Sequence, residues 1–418
     1  MKILSASQMY LADAATLKSQ NISSLELMER AGELCFKWID NYFNQKKIPE
    51  FYIFCGVGNN GGDGLVIARY LALNGYSFKT YVINFSKKRS ADFIENLERF
   101  KNLDLRPTFI NPSDKLPKIP KDVFIIDTIF GIGLKRPPKG FVKEIIQNIN
   151  ASQNFILAID LPSGLYANSS VEDYDAVVKA SHILTFQNPK LAFLLPDNRE
   201  FINSWEVLDI GLDSAFILNL KSAYHITEKN NVATFYKTCK TFSHKGTHGH
   251  ALLIGGSYGK MGAIVLAATA ANNIGSGLVS TLIPECGYNI MQTSLIEAMV
   301  MTSGDKFIKD FNTPLKATVI GIGPGMGTDK ATQKAFDTFL KMYQKPLVID
   351  ADALNCLSLH KNAFKDIPKD SILTPHPKEL ERLIGTWTND YDKLEKLKDF
   401  SIKHKLIVVL KGAFTAIV

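Results

Sequence analysis

Cysteine is scarce in this chain and odd in number: five among 418 residues, at positions 35, 55, 239, 286 and 356. Widely spaced and mostly flanked by apolar residues, they form neither a disulfide framework nor a zinc-ligand pattern, so reduced thiols in a cytoplasm are expected. Long apolar runs are missing as well. None reaches the ~18 residues of a membrane-spanning helix, and the opening MKILSASQMY lacks the apolar core of a signal peptide. A soluble, cytoplasmic protein with no membrane partner is therefore expected. Fixed-period repeats and low-complexity tracts are absent, which excludes solenoids and disordered arrays. The formal net charge of +7 is dispersed over short Lys-containing segments, not gathered in one block, and gives little support to a nucleic-acid partner.

What is present suits large packed cores. A composition of 46% hydrophobic and 21% charged residues over this length allows two or three globular domains. The stretch at 51–70, FYIFCGVGNNGGDGLVIARY, predicts a buried strand at 51–55, a glycine-rich anion-cradling loop at 56–64 and a helix from 65. Gly56, Gly58 and Gly61 match the G-x-G-x-x-G fingerprint, but a dinucleotide site for NAD would place an acid after the next strand. That strand, 79–85, runs instead into Ser86, Lys87, Lys88 and Arg89, which leaves only an NADP version. The loop also holds Asn59, Asn60 and Asp63. A carboxylate gains nothing inside a phosphate cradle, so amides plus an acid point to a cation site or acid–base chemistry.

Helices are predicted at 8–18 and 24–44, the second capped by Ser23 or Ser24 with Glu26 in its first turn. Strand and helix patterns then alternate at 51–55, 65–74, 79–85, 90–101, 123–127, 141–149 and 155–159, predicting a doubly wound parallel sheet. Asp127 and Asp160 each close a strand, and their loops join the 56–64 loop at the carboxyl edge where open α/β sheets bind ligands.

GVGNNGGDG at 56–64, DTIFGIGLKRPPKG at 127–140, DLPSG at 160–164, TFQNPK at 185–190 and VLDIGL at 207–212 resemble the NAD(P)H-hydrate epimerase domain over residues 1–215. The resemblance implies a Rossmann-like fold and a potassium ion held by Asn60, Asp127 and Ser163. It also implies a hydrated nicotinamide nucleotide held by Asn59, Asn60, Gly61, Gly62, Asp63, Gly131, Ile132, Gly133, Leu134, Lys135, Arg136, Pro137 and Asp160. Amide, carboxylate and hydroxyl oxygens are hard ligands suited to such a cation. Interconverting R and S hydrates needs an acid–base group, for which Asp160 is the candidate and Asp63 the alternative.

After 213 a polar, aperiodic stretch at 222–231 reads as a linker, and a second series of strands is predicted at 251–255, 278–283, 317–321, 346–349, 372–374 and 406–410, with a helix at 263–274. HKGTHG at 244–249, LLIGGSYGKMGA at 252–263, GIGPGMG at 321–327, IDADALN at 349–355, LTPHPKELERL at 373–383 and VVLKGAFT at 408–415 resemble the ADP- or ATP-dependent NAD(P)H-hydrate dehydratases over residues 225–418. That family has a ribokinase-like α/β fold. By this resemblance Ala263, Gly325 and His376 contact the hydrate, Lys411, Gly412, Ala413, Phe414 and Thr415 contact the adenine nucleotide, and magnesium accompanies ADP or ATP.

Together the two halves resemble the bacterial bifunctional NAD(P)H-hydrate repair enzymes, which implies phosphorylation and loss of the hydrate hydroxyl in the second half, and a homo-oligomer. The ribokinase-like pattern ends in a GTGD-type turn whose amides and aspartate serve phosphoryl transfer. No such segment follows Thr415, so the second domain is expected to be incomplete at its C-terminus and impaired as a dehydratase. The competing expectation is a ribokinase-type small-molecule kinase fused to a Rossmann-like module that binds nucleotide or RNA.

Overall fold

The computed structural model describes residues 1–44, 46–311 and 316–418. The chain divides into two compact units, Met1–Phe235 and Tyr236–Val418. In the first, the order is β1 (Lys2–Ile3), α1 (Ala6–Gln20), α2 (Ser24–Phe43), β2 (Phe51–Cys55), α3 (Asn59–Leu73), β3 (Phe78–Ile83), α4 (Ala91–Lys101), β4 (Thr108–Ile110) and β5 (Phe124–Thr128). There follow α5 (Phe141–Ala151), β6 (Phe155–Ile159), β7 (His182–Phe186), β8 (Trp205–Leu208), α6 (Ser214–Asn219), β9 (Tyr224–His225) and α7 (Lys229–Ala233).

Seven of these strands form one parallel sheet in the order β4-β3-β2-β5-β6-β7-β8. Every residue of β2, β5 and β7 is buried, as expected for strands covered on both faces. Chain order reverses between β2 and β5, making that point the crevice of a doubly wound sheet. Both N-terminal helices open with capping boxes, Ser5 with Gln8 and Ser23 with Glu26. The stretch 216–235 belongs to this unit: β9 pairs antiparallel with β1, and Lys2 Nζ donates to the carbonyls of Ile217, Leu218 and Leu220 at the end of α6. The expected linker at 222–231 thus contains a strand tied to the start of the chain.

One sequence expectation is corrected. The segment from Asn59 to Gly64 is not a loop but the first two turns of α3, with Gly58 at the N-cap. Low helix propensity is overridden by packing. A Cβ on Gly61 would stand 1.9 Å from the Gly56 carbonyl oxygen, and one on Gly64 would stand 2.1 Å from Thr128 Oγ1 and 2.7 Å from Cys55 Sγ. These glycines exist to let the helix lie against β2 and β5. Gly32 of α2 does the same toward Val66, 2.3 Å from its Cγ1.

The second unit runs β10 (His250–Ile254), α8 (Met261–Asn273), β11 (Leu278–Ile283), α9 (Tyr288–Ser294), β12 (Met299–Thr302), β13 (Val319–Ile322), α10 (Lys330–Met342) and β14 (Leu347–Ile349). It continues α11 (Asp352–Leu359), β15 (Ile372–Leu373), α12 (Pro377–Ile384), α13 (Asp390–His404), β16 (Ile407–Leu410) and β17 (Ala416–Ile417). Its sheet has the order β12-β11-β10-β13-β14-β15-β16-β17, parallel throughout except for β17, which runs antiparallel to β16. The expected α/β class holds for both units. Among the described residues no helix is long and apolar enough to cross a membrane.

Because the atom facing Gly61 is backbone and cannot rotate away, Gly61→Ala should destabilise the first unit by about 1–3 kcal/mol, seen as a lower urea midpoint. An unchanged midpoint would mean that α3 does not need this approach.

Candidate active site

In the first unit the carboxyl-edge exits of β2, β5, β6 and β7 converge. Asp127, the fourth residue of β5, is fully buried. Its Oδ2 accepts the Ser163 N–H at 2.8 Å, and its Oδ1 accepts the Ser163 hydroxyl at 2.6 Å and the Ile129 N–H at 3.2 Å. Burial pushes its carboxyl up to about 6, against the pull of those hydrogen bonds. Ser163 Oγ in turn accepts the Phe130 N–H at 2.8 Å, and Asn60 Nδ2 donates to the Phe130 carbonyl at 2.9 Å. Asn60, Asp127 and Ser163 are therefore brought into one cluster through Phe130. Asn60 Oδ1 is buried with no hydrogen-bond partner. A buried amide oxygen without a partner, on a side chain joined through Phe130 to a carboxylate and a hydroxyl, fits a hard cation such as potassium.

Asp160 follows β6 in a left-handed conformation, φ +64°, which Asp tolerates better than most residues. It is buried, and its Oδ1 lies 3.0 Å from Nζ of Lys190, itself 1% exposed. Its Oδ2 stands 3.2 Å from the point a Cβ on Gly131 would occupy, so the glycine keeps the space in front of the carboxylate open. Asn60 Cβ is 3.4 Å from the same point, joining this group to the cation cluster. Asp63, in the second turn of α3, is buried; desolvation first, then Asp160 and Asp13, hold its carboxyl well above the usual range. Of the other expected substrate contacts, Ile132 packs into the core, Gly131, Leu134 and Pro137 are half-buried, and Asn59, Gly133, Lys135 and Arg136 are exposed.

Three residues escaped the sequence reading. Lys190 lies inside the quoted TFQNPK segment, where a lysine after an apolar strand was the available signal. Tyr10 and Asp13 come from α1, and only their helical i, i+3 spacing linked them. Tyr10 Oη lies 2.7 Å from where a Cβ on Gly133 would stand. Burial, then Asp160 and Asp13, push its hydroxyl up.

In the second unit the expected contacts also gather at strand exits. Gly325, φ +66°, abuts α8: a Cβ there would be 2.5 Å from the Lys260 carbonyl oxygen and 3.1 Å from Ala263 Cβ. Asp352 accepts the Gly327 N–H at 2.9 Å and meets Lys260 Nζ at 3.4 Å. Lys411 Nζ reaches Asp350 at 2.8 Å and Glu379 at 3.9 Å. His376 is the N-cap of α12, accepting from the N–H groups of Lys378 and Glu379, with Nε2 3.3 Å from Glu379. Its polar contacts all lie within its own helix. Gly412, Ala413, Phe414 and Thr415 form the exposed connection between β16 and β17.

Two carboxyl-edge sites, one acidic around a buried lysine and one with partly exposed ion pairs, define a two-domain α/β enzyme. Residues 24–192 match the family model described as YjeF-related protein N-terminus, and residues 251–418 match the NAD(P)H-hydrate dehydratase model. The Bifunctional NAD(P)H-hydrate repair enzyme Nnr of Moorella thermoacetica is 31% identical over 437 residues, spanning 100% of this chain and 82% of that protein. The protein of the same name from Coxiella burnetii is 33% identical, spanning 95% and 79%. The solved ADP/ATP-dependent NAD(P)H-hydrate dehydratase of Bacillus subtilis, co-crystallised with ATP and Mg2+, is 29% identical over 46% of this chain and 68% of that one, at TM-score 0.38. This chain belongs to the family of bifunctional NAD(P)H-hydrate repair enzymes.

The Asp13 carboxyl is pushed from 3.8 up to about 6 by burial and by Asp160, with Lys190 pulling the other way. A raised folded-state value means that the native state loses stability as pH rises through that window, and the loss is complete above it. Asp13→Asn removes the buried charge. The variant should be more stable at pH 7.5 by on the order of 1–2 kcal/mol after allowance for partial exposure, and the gap should close near pH 3.5. Melting curves at the two pH values check this, and a gap of equal size at both would refute it.

Proposed function

We propose that the first unit interconverts the R and S hydrates of NADH and NADPH, and that the second dehydrates the S form using ADP or ATP with magnesium. The observation that carries the first half is the buried Asp160, with its open face toward Gly131, beside the bare Asn60 Oδ1 and the Asp127–Ser163 pair. Potassium, when bound by Asn60, Asp127 and Ser163, would supply a fixed positive charge beside the substrate. Asp160 takes or gives the proton at the reacting ring, held in place by Lys190. Lys135 and Arg136, exposed on the segment after Gly133, are positioned for the nucleotide phosphates. In the second unit Ala263 and Gly325 offer a surface without side-chain bulk, and Lys411 at the end of β16 offers a cation to the adenine nucleotide. Work in a reducing cytoplasm agrees with five free cysteines.

Asp160→Asn keeps the left-handed backbone accessible, so nucleotide binding should persist while epimerisation per folded molecule falls about 100-fold or more. Chromatography that separates the two hydrates measures the rate, and titration calorimetry the binding. A rate equal to that of the parent removes Asp160 from the mechanism. Asp127→Ala should abolish stimulation by potassium and lower turnover together. Undiminished potassium dependence in that variant would defeat the cation assignment.

A further inference from the structure

The first unit contains a carboxyl that neither the cation cluster nor the Asp160–Lys190 pair uses. Asp13 follows Tyr10 by three residues on α1, so the two share a helix face. Met9, Ala12 and Thr16 are buried and hold the helix against the unit. The 2.7 Å approach of Tyr10 Oη to the Cβ position of Gly133 brings that face of α1 to the 131–133 segment, whose Gly131 borders Asp160 Oδ2. Asp13 is only partly buried, and among the described residues nothing hydrogen-bonds or ion-pairs with its carboxyl.

Lys190 does not serve it. That ammonium already meets Asp160 at 3.0 Å, Thr185 Oγ1 at 2.8 Å, Asn188 O at 3.1 Å and Phe186 O at 3.3 Å. The charged and titratable groups that Asp13 influences or is influenced by electrostatically are Asp160, Asp63, Tyr10 and Lys190. Burial and the Asp160 charge set its carboxyl near 6, where both protonation states are populated around neutrality.

We infer that Asp13 is a second acid–base residue of the epimerisation, exchanging a proton with the substrate hydroxyl in partnership with Asp160. The inference rests on the reading of the first unit as the epimerase site. Protonated Asp13 gives its proton to the departing hydroxyl. The C–O bond breaks with its electron pair on oxygen, leaving as water, while the ring nitrogen lone pair forms a C=N bond to the same carbon. A water then adds to the opposite face, its oxygen lone pair making the new C–O bond as the C=N pair returns to nitrogen and Asp160 takes the released proton. The reverse reaction uses the two carboxyls in exchanged roles. One acid could not protonate a leaving group and deprotonate a nucleophile on opposite faces of one ring without moving between them.

The test compares the full chain with Asp13→Asn, Asp13→Ser and Asp160→Asn, following interconversion of separated R and S hydrates from pH 5 to 9, with NADP+ as binding probe and thermal melting as a check of fold. Both Asp13 variants should lose about 100-fold or more in rate while NADP+ affinity and melting stay at or above those of the parent, and a limb near pH 6 in the parent profile should vanish. If either Asp13 variant keeps a rate within about threefold of the parent, or if its lost rate follows lost NADP+ affinity, Asp13 has no proton-transfer role. Should Asp160→Asn alone be impaired, the epimerase reading stands and the Asp13 inference falls. Should all three variants run at a catalysed parent rate, both carboxyl assignments fall; should the parent itself run no faster than buffer alone, the epimerase reading fails.

Discussion

The ion pair between Asp160 and Lys190 holds the first site together. A lysine that is 1% exposed is tolerable only because every donor is taken: Asp160, a threonine hydroxyl and two backbone carbonyls. Those acceptors all come from the exits of β6 and β7, so the pair fixes two adjacent strand ends relative to each other. Removing one partner of such a pair costs about 3–5 kcal/mol by stranding the other charge. The left-handed backbone at Asp160 is part of the same constraint, since it turns the carboxylate back over the sheet edge toward Gly131.

How much of this the sequence announced depends on which force decided each element. Buried parallel strands are continuous apolar runs, and the runs at 51–55, 155–159 and 278–283 coincide with β2, β6 and β11. The start of α3 was hidden because its glycines look like a loop on propensity alone. What they satisfy is a backbone carbonyl 1.9 Å from one absent Cβ, a purely tertiary demand. Asn60, Asp127, Ser163 and Asp160 were visible through their motifs at strand ends. Lys190 was visible as a letter but not as a counter-ion, because nothing local says that its four partners surround it. His376, an expected ligand contact, also opens the helix-start pattern His-Pro-Lys-Glu, and the structure makes it the capping box of α12.

The two units use one device at different polarity. In both, strand exits of a parallel sheet present the chemistry. In the second unit the paired lysines are exposed, Lys411 by 43% and Lys260 by 58%, while their partners Asp350 and Asp352 are exposed by 34% and 17%. Such pairs contribute about 0–1 kcal/mol, so either lysine can be given over to an anionic ligand at small cost. Lys190 in the first unit has no such freedom, because it is buried and already committed to Asp160, Thr185 and two backbone carbonyls.

That difference follows from a charge imbalance in the first unit. Asp13, Asp63 and Asp160 influence one another around the buried Lys190, and Asp127 is joined to Asn60 through Ser163 and Phe130. Burial holds the carboxyls of Asp13, Asp63 and Asp127 above the usual carboxylate range. The N-terminus of α3, whose second turn carries Asp63, offsets only about half an elementary charge. Under the proposed epimerase reading, the remainder is met by protons retained on those carboxyls or by a cation held by Asn60, Asp127 and Ser163. Either would suit the proposed proton transfer: acids that keep protons, and a buried Asn60 oxygen that no protein donor satisfies.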